Sequence, residues 1–256
     1  MIYQLEDRDR AAFLFGDWQE TMIRSCLQGT MGCIYADDPY HPVSAAAVLG
    51  DFCFFAGEPN EELARLKPLW RRQDFLIAVP RNCGWAEEIE KQYDKKVRKV
   101  VRYAMKKEGT VFDQNKLADI VNGLSAEYTL SLIDQKLFDE CKTKDWCRDF
   151  VSQFPEYSFY QKFGLGVVIR KEGIPVSGAS SYSVYDGGIE IEIDTKPEFR
   201  RRGLALVCGA KLILECLDRG LYPSWDAQNV WSVSLAEKLG YHLDYAYDAY
   251  EIVYAV

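Results

Sequence analysis

Apolar and polar residues alternate most regularly where Ile189, Ile191 and Ile193 are separated by acidic residues. A period of two is typical of a β-strand with two different faces. The surrounding stretch 164–195 contains two further apolar runs, bounded by the turn-rich sequences KEGIP and YDGG, and so predicts three consecutive strands. A strongly apolar segment at 203–218 then predicts a helix.

The remaining elements of the C-terminal half follow from the same kind of pattern. Helices are predicted at 131–137, 143–153 and 229–239, and strands at 222–226 and 243–255. The predicted order is therefore two helices, three strands, a helix, a strand, a helix and a strand.

The N-terminal half predicts a similar series of elements. Helices are predicted at 9–28, 59–70 and 84–94, and strands at 32–37, 43–50, 52–58 and 73–80. Gly50 and Asp51 are a hairpin signal between two of these strands. Residues 108–117 are polar and turn-like, and the boundary between two domains, 1–120 and 121–256, is predicted around 108–125. Because the two halves share an order of elements, a degenerate repeat is one interpretation of the first domain.

The most basic stretch, 95–107, has seven Lys or Arg among thirteen residues. Its apolar positions fit a helical stripe, and its β-branched residues also suit a strand. A nucleic-acid site would favour interleaved aromatic residues, and Tyr103 is the only one here. A solvated face on one structural element is the preferred interpretation.

Composition narrows the class of protein. Hydrophobic residues make up 48% and charged residues 27% of the 256 residues, and no apolar run approaches the roughly 20 residues that span a bilayer. The N-terminus has no apolar signal region, so we expect a cytoplasmic protein without a membrane partner. The net charge of −8 argues against a surface that binds polyanions over the whole molecule.

The cysteines and histidines predict no metal site. The eight cysteines are scattered without a CxxC pair, and the two histidines have no ligand-like spacing to them. Reduced and mostly buried thiols are the expected state.

A basic turn follows the alternating strand. Residues 200–205 read Arg-Arg-Arg-Gly-Leu-Ala and lead into the apolar helix. The first amides of a helix lack intrahelical acceptors, and the helix dipole favours negative charge at that end. Gly203 and Ala205 leave room for a phosphate to approach the backbone. Taken alone, this turn predicts a phosphate or pyrophosphate site, with a capped surface turn as the alternative.

Two segments resemble the sequence signature of the GNAT superfamily of acetyltransferases. Arg200-x-x-Gly203-x-Ala205, within IDTKPEFRRRGLA, resembles the family's Q/R-x-x-G-x-G/A strand–loop–helix. The second family block has its counterparts downstream at Asn229, Ser232, Gly240 and Tyr241. The longer string, with PSWDAQN and SLAEKLGY, resembles zwittermicin A resistance-type acetyltransferases.

The resemblance covers roughly residues 125–256. It implies an α/β (α+β) fold with a mixed, mostly antiparallel central sheet and flanking helices. It also implies acetyl-CoA as the cofactor. The implied contacts are Ile193, Asp194 and Thr195 with the pantetheine arm, Arg200, Arg201, Arg202, Gly203, Leu204 and Ala205 with the pyrophosphate, and Asn229 and Ser232 with the far side of the cofactor. For Asn229 the alternative is a helix N-cap.

The chemistry that the resemblance implies is direct attack of a neutral amine on the thioester. An alkylamine has a pKa of about 10.4, so a base must accept its proton. Glu190 and Glu192 are the leading candidates, Asp226 is a further one, and a solvated strand face is the alternative for each. Many family members carry a tyrosine acid seven residues after the Asn, where this chain has Ala236.

The predicted function is transfer of an acetyl group from acetyl-CoA to a primary amine of a small molecule. A protein amine as acceptor and a non-catalytic acyl-CoA sensor remain alternatives, and a nucleic-acid-associated regulator is the least favoured. The N-terminal half has Gly57-Glu58-Pro59-Asn60 in place of a basic turn, so we expect no cofactor there. Its hypothetical roles are to shape the acceptor pocket or to pair two copies into a homodimer.

Overall fold

The computed structural model of the chain describes residues 1–66 and 75–254. They divide into two compact units, which we call unit 1 (Met1–Arg102 with Ala246–Val256) and unit 2 (Tyr103–Tyr245). Unit 1 is thus built from both ends of the chain. The prediction of separate domains at 1–120 and 121–256 stays a prediction.

The described residues form nine α-helices and thirteen strands, with short 3-10 turns between some of them. The helices are α1 (Asp9–Phe15), α2 (Thr21–Gln28), α3 (Glu61–Ala64), α4 (Cys83–Tyr93), α5 (Gln114–Asn122), α6 (Gln135–Lys142), α7 (Tyr157–Phe163), α8 (Leu204–Asp218) and α9 (Val230–Leu239). The strands are β1 (Tyr3–Gln4), β2 (Cys33–Ala36), β3 (Ser44–Leu49), β4 (Phe52–Gly57), β5 (Phe75–Pro80), β6 (Val97–Met105), β7 (Tyr128–Leu132), β8 (Gly166–Lys171), β9 (Ile174–Tyr185), β10 (Gly188–Thr195), β11 (Tyr222–Ser224), β12 (Asp226–Ala227) and β13 (Leu243–Val253).

The sheet of unit 1 has the strand order β1-β2-β3-β4-β5-β13-β6. Its first four strands pair antiparallel, β4 and β5 pair parallel, and β13 pairs antiparallel with β5. The last strand of the chain therefore completes the sheet of unit 1. One face of this sheet, which includes Phe55 of β4, packs against Trp85 and Tyr93 of α4.

The sheet of unit 2 has the order β11-β10-β9-β8-β7. Strands β7 to β10 pair antiparallel, and β10 and β11 pair parallel. The two residues of β12 pair instead with Tyr103 and Ala104 of β6. Helix α8 packs across β8 to β11, and its buried residues include Val207, Leu212 and Ile213.

The clearest sequence patterns are confirmed as elements. They are the hairpin at Gly50, the three strands within 164–195, the helix at 203–218 and the helix at 229–239. The strand prediction for 95–107 is correct and its helical alternative is wrong. In β6, Arg98 pairs with Glu251, and the Lys99 Nζ lies 2.8 Å from an Asp248 carboxylate oxygen, so acids of β13 neutralise these bases.

Other predicted elements are wrong in extent or kind. The helix predicted at 9–28 is two helices, because Gly16 has a φ of 56° and ends α1. Residues 128–132 form β7 where a helix was predicted from 131, and α6 begins after Asp134, whose carboxylate accepts from the Leu137 amide at 2.9 Å. Predictions for residues 67–74 and 255 lie outside the described residues.

Further mismatches concern short elements. Residues 145–150 form a 3-10 turn within the helix predicted at 143–153, and α5 and α7 were not predicted. The strand predicted at 222–226 ends at Ser224, and the next residues leave the sheet of unit 2.

Candidate functional site

Strand β10 pairs with β11 only over its first three residues. The parallel ladder joins Gly188 to Tyr222 and ends where Glu190 faces Ser224. Beyond that point, β10 continues to Thr195 and pairs with β9 alone, while Asp226 belongs to β12 and pairs with β6. The two strands separate, and the outer edge of β10 is left open. An open strand edge can pair with the extended backbone of another molecule.

A groove of about 700 Å³ begins along this open edge and reaches the start of α9. Its lining residues are Ile193, Asp194, Thr195, Phe199, Arg200, Arg201, Gly203, Leu204, Ala205, Leu206, Gln228, Asn229, Trp231, Ser232, Leu235 and Lys238. Of the eleven residues predicted to contact a cofactor, ten line this groove, and Arg202 does not.

The turn before α8 has the backbone geometry of an anion site. Arg201 has a φ of 63° and Gly203 a φ of 78°, so two residues of the turn are left-handed. The amide of Val207 donates to the Gly203 carbonyl at 3.2 Å. The amides that precede it in the first helical turn therefore have no acceptor within the helix. A Cβ added to Gly203 would meet no atom within 4 Å. The turn is therefore open toward the groove.

The three arginines of the turn have different surroundings. Arg200 donates to the Thr195 carbonyl at 3.0 Å and to Asp194 Oδ1 at 3.3 Å, and these bonds brace the turn against β10. The Arg202 guanidinium lies 5.0 Å from the centre of the Phe199 ring and lines a separate groove. Arg201 lines the groove, and the described residues give it no ion pair.

The start of α9 forms the other wall. Asn229 Oδ1 accepts from the amides of Trp231 and Ser232, each at 3.0 Å, so this side chain is the N-cap of α9. Ser232 Oγ accepts from the Trp225 indole at 3.1 Å. Both residues line the groove as well, so capping does not exclude the predicted contacts.

The candidate bases have unequal burial. Glu190 is 3% exposed, Glu192 is half-buried, and Asp226 lies on β12. None of the three lines the groove, but Glu190 is the residue at which β10 and β11 separate. The alternative of a solvated strand face is therefore wrong for Glu190. Beside it, Lys107 Nζ donates to the buried Ser224 Oγ at 2.8 Å.

Two tyrosines, the half-buried Tyr222 and the buried Tyr241, lie close enough to Glu190 for its charge to affect their pKa values. Burial, with the charges of Glu190 and Glu108, raises the pKa of Tyr222 to about 12. Burial first, and then nearby groups including Glu190, raise the pKa of Tyr241 well above its usual value. Tyr241 donates to the Pro223 carbonyl at 2.7 Å, and Ala236 is fully buried. Both phenols are therefore neutral at neutral pH.

Six groove residues were absent from the sequence prediction: Phe199, Leu206, Gln228, Trp231, Leu235 and Lys238. A signal for the last three was present, because positions four and seven residues apart share one face of a helix. Among the described residues, no cluster of His, Cys, Asp or Glu is placed to hold a metal ion. None of the helices in the described part of the chain has the length and apolarity to cross a membrane.

Comparison with known proteins identifies the class. The GNAT acetyltransferase family model matches residues 12–250, so the chain belongs to the GNAT acetyltransferase family. The GCN5-related N-acetyltransferase-like protein from Streptococcus suis 89/1591 is 48% identical, with 96% of this chain and 98% of that chain covered and a TM-score of 0.91.

Two further comparisons are more distant. The uncharacterized N-acetyltransferase YdfB of Bacillus subtilis (strain 168) is 33% identical over 89 residues, and this match spans 34% of each protein. A tandem GNAT protein from the clavulanic acid biosynthesis pathway is 10% identical over 99% of this chain and 98% of that chain, with a TM-score of 0.53. That likeness shows the fold alone, and it fits two GNAT-like units in one chain. The resemblance to zwittermicin A resistance-type enzymes stays a prediction.

Proposed function

We propose that this protein is an acetyl-CoA-dependent N-acetyltransferase that acts on a primary amine of a small molecule. The observation that carries the proposal is the separation of β10 from β11, with an open turn at the start of α8 on one side and buried Glu190 where the strands part. Family membership supports acetyl transfer, and the acceptor class is our inference.

The residues of the groove fit the cofactor in chemistry and in space. Ile193, Asp194 and Thr195 offer an open strand edge to the amide groups of pantetheine. The amides of residues 201–205 and the Arg201 side chain offer donors and positive charge to the pyrophosphate. Gly203 has a φ of 78°, a conformation that residues with a side chain rarely adopt, and this explains the need for glycine there.

Acetyl transfer requires removal of a proton from the acceptor. The amine nitrogen forms a bond to the thioester carbonyl carbon, the carbon–sulfur bond breaks, and the CoA thiolate leaves. Glu190 would accept the amine proton, with Glu192 and Asp226 as the other candidates. The missing tyrosine at Ala236 does not prevent this chemistry, because a thiol with a pKa of roughly 8.5 is a tolerable leaving group.

The acceptor is proposed to be cationic before it loses its proton. The net charge of −8 would attract such a molecule from solution. A protein amine is the alternative acceptor, and peptides with free amino termini or lysines would reveal it in the same assay.

Cofactor binding is tested by thermal unfolding with acetyl-CoA. The wild type should be stabilised, and Gly203→Glu should lose that stabilisation because the carboxylate occupies and repels the pyrophosphate site. Gly173→Glu is the matched control, since Gly173 has a φ of 82° and equally open space but does not line the groove. A wild type that is not stabilised would contradict the proposal.

Catalysis is tested by CoA thiol release across a library of amines. A non-catalytic acyl-CoA sensor is the second candidate, favoured by Ala236, which is buried where many relatives carry an acid. Release of thiol with any amine supports the enzyme. Stabilisation by acetyl-CoA without release from any amine or peptide supports the sensor.

A further inference from the structure

Trp231 is an exposed aromatic side chain on the wall of the cofactor groove. Its residue is 81% exposed, and it lies in the first turn of α9. The amide of Trp231 is held by Asn229 Oδ1 at 3.0 Å, so the backbone that carries the indole is anchored. The indole therefore offers a large aromatic surface to the groove and is not part of the buried core of unit 2.

Lys238 lies on the same face of α9, seven residues further on. Seven residues correspond to two helical turns and about 10 Å of rise. Its side chain lines the groove, and it forms no ion pair with any residue in the described part of the chain. Together with Arg201 on the opposite wall, it gives the groove two cations that no residue of 1–66 or 75–254 neutralises.

The two ends of the groove would hold different parts of the cofactor. Residues 193–195 lead back to the point where β10 and β11 separate, so the acyl end lies there. The turn at 201–205 takes the pyrophosphate under the proposed function. The nucleotide must then lie on the solvent side of that turn, where exposed Trp231 offers a flat aromatic face.

We propose that Trp231 and Lys238 form a subsite for the 3′-phosphorylated adenosine of CoA. The indole stacks on the purine ring, and the Lys238 ammonium pairs with the ribose 3′-phosphate. Aromatic side chains stack on any base, so Trp231 supplies affinity and Lys238 supplies discrimination between CoA and its 3′-dephosphorylated form. This proposal rests on the proposed function, because it requires CoA in the groove.

Each residue also has a purely structural explanation. A lysine in the last turn of a helix interacts favourably with the helix dipole. A single exposed tryptophan is common on protein surfaces. Neither explanation predicts any effect on the relative affinities for CoA and 3′-dephospho-CoA. The experiments therefore measure these two affinities.

The first experiment measures binding of CoA and 3′-dephospho-CoA by calorimetry at fixed ionic strength. The wild type should bind CoA about five- to ten-fold more tightly than 3′-dephospho-CoA. Lys238→Gln should remove that difference by weakening CoA alone. Glu237→Gln, at the neighbouring exposed position outside the groove, should keep the difference.

The second experiment measures the same two ligands with Trp231→Leu. This variant should bind both ligands about ten-fold more weakly, because both contain the purine. It should also lose part of the tryptophan fluorescence quenching that CoA causes in the wild type. Val230→Ala, at an adjacent residue that is 54% exposed and outside the groove, is the control and should bind as the wild type does.

The outcomes separate this proposal from the proposed function. If the wild type binds neither ligand, the proposed function fails. If the wild type binds both, and Trp231→Leu and Lys238→Gln bind them with unchanged affinities, only the subsite is wrong. A wild type that binds CoA and 3′-dephospho-CoA equally would overturn the role of Lys238.

Discussion

Unit 1 and unit 2 each contain a parallel strand pair with a helix between the strands, and the two pairs end differently. In unit 1, β4 and β5 pair from Phe52 to Phe55, and the Arg81 amide extends the ladder to the Phe55 carbonyl at 2.9 Å. In unit 2, β10 and β11 share three pairs, and β10 then continues for five residues without β11. The same order of elements gives a closed ladder in one unit and an open strand edge in the other.

Side chains also fill the end of the pair in unit 1. The indole of Trp85 and the amide of Asn82 both donate to the Gly57 carbonyl, at 3.0 and 3.2 Å. Pro59 packs at Gly84, where a Cβ would lie 2.7 Å from its ring. In unit 2 the groove lies at the corresponding end of the strand pair.

The residues that follow the strand also differ between the two units. Unit 2 has a basic turn and a fifteen-residue helix. Unit 1 has Glu58-Pro59-Asn60 before α3, which begins with Glu61 and Glu62 in its first turn. Acids at a helix start repel a phosphate, and for this reason the absence of a cofactor in unit 1 remains our prediction.

The largest expected effect concerns the carboxylate where the strands separate. Glu190→Gln should lower kcat by about 10²–10⁴-fold, the usual contribution of a general base, with little change in stabilisation by acetyl-CoA. Glu58→Gln, an exposed carboxyl after the equivalent strand of unit 1, should keep full turnover. If both Glu190→Gln and Glu192→Gln retain wild-type turnover across pH, the base assignment is wrong.

The two glycines after the equivalent strands should respond differently to alanine. Gly57 has a φ of 78°, and an added Cβ would lie 2.1 Å from the Val43 carbonyl oxygen, so Gly57→Ala should cost about 3 kcal/mol of stability or more. Gly203 has the same φ with open space, so Gly203→Ala should cost about 1–2 kcal/mol. Urea unfolding measures both changes, and equal losses would contradict the comparison. Acetyl-CoA affinity should fall only for Gly203→Ala.

The two N-cap asparagines allow a matched comparison in which the expected losses of stability are smaller. Asn82 caps α4 by accepting from the Trp85 amide at 3.0 Å, and Asn229 caps α9 in the same way. Each change to alanine should cost about 1 kcal/mol of stability. Only Asn229→Ala should also weaken acetyl-CoA binding, as measured by calorimetry. A similar loss of binding in Asn82→Ala would mean that the effect is general destabilisation.

The smallest effect concerns Tyr222 at high pH. Its folded pKa is raised from 10.0 to about 12, so the folded state holds the phenolic proton more strongly than the unfolded state. This contribution to stability is fully present below about pH 10 and is lost as pH rises toward 12. Tyr222→Phe should therefore show a shallower decline of the urea midpoint between pH 10 and 12 than the wild type. Parallel curves for the two proteins would contradict the burial of this phenol.

Much of the fold of unit 2 followed from local patterns. The alternation around Ile191, the turn residues between strands and the apolar helix after Gly203 are signals that neighbouring residues produce together, so they can be read without the rest of the chain. The short elements were harder to predict from the sequence, because Gly16 interrupts an otherwise helical pattern and α7 has only seven residues.

The sequence by itself determined the position of the basic turn, the cap at Asn229 and ten of the residues around the groove. Each is a local property of consecutive residues, or of a short motif with a fixed spacing.

Only the tertiary structure decided where β10 and β11 separate, that Glu190 is buried, and that the last strand of the chain completes unit 1. These outcomes depend on residues far apart in the chain: Ser224 ends the ladder opposite Glu190, and β13 pairs with β5. Burial, strand separation and ion pairing arise when distant segments pack together, so the local pattern of any one segment does not contain them.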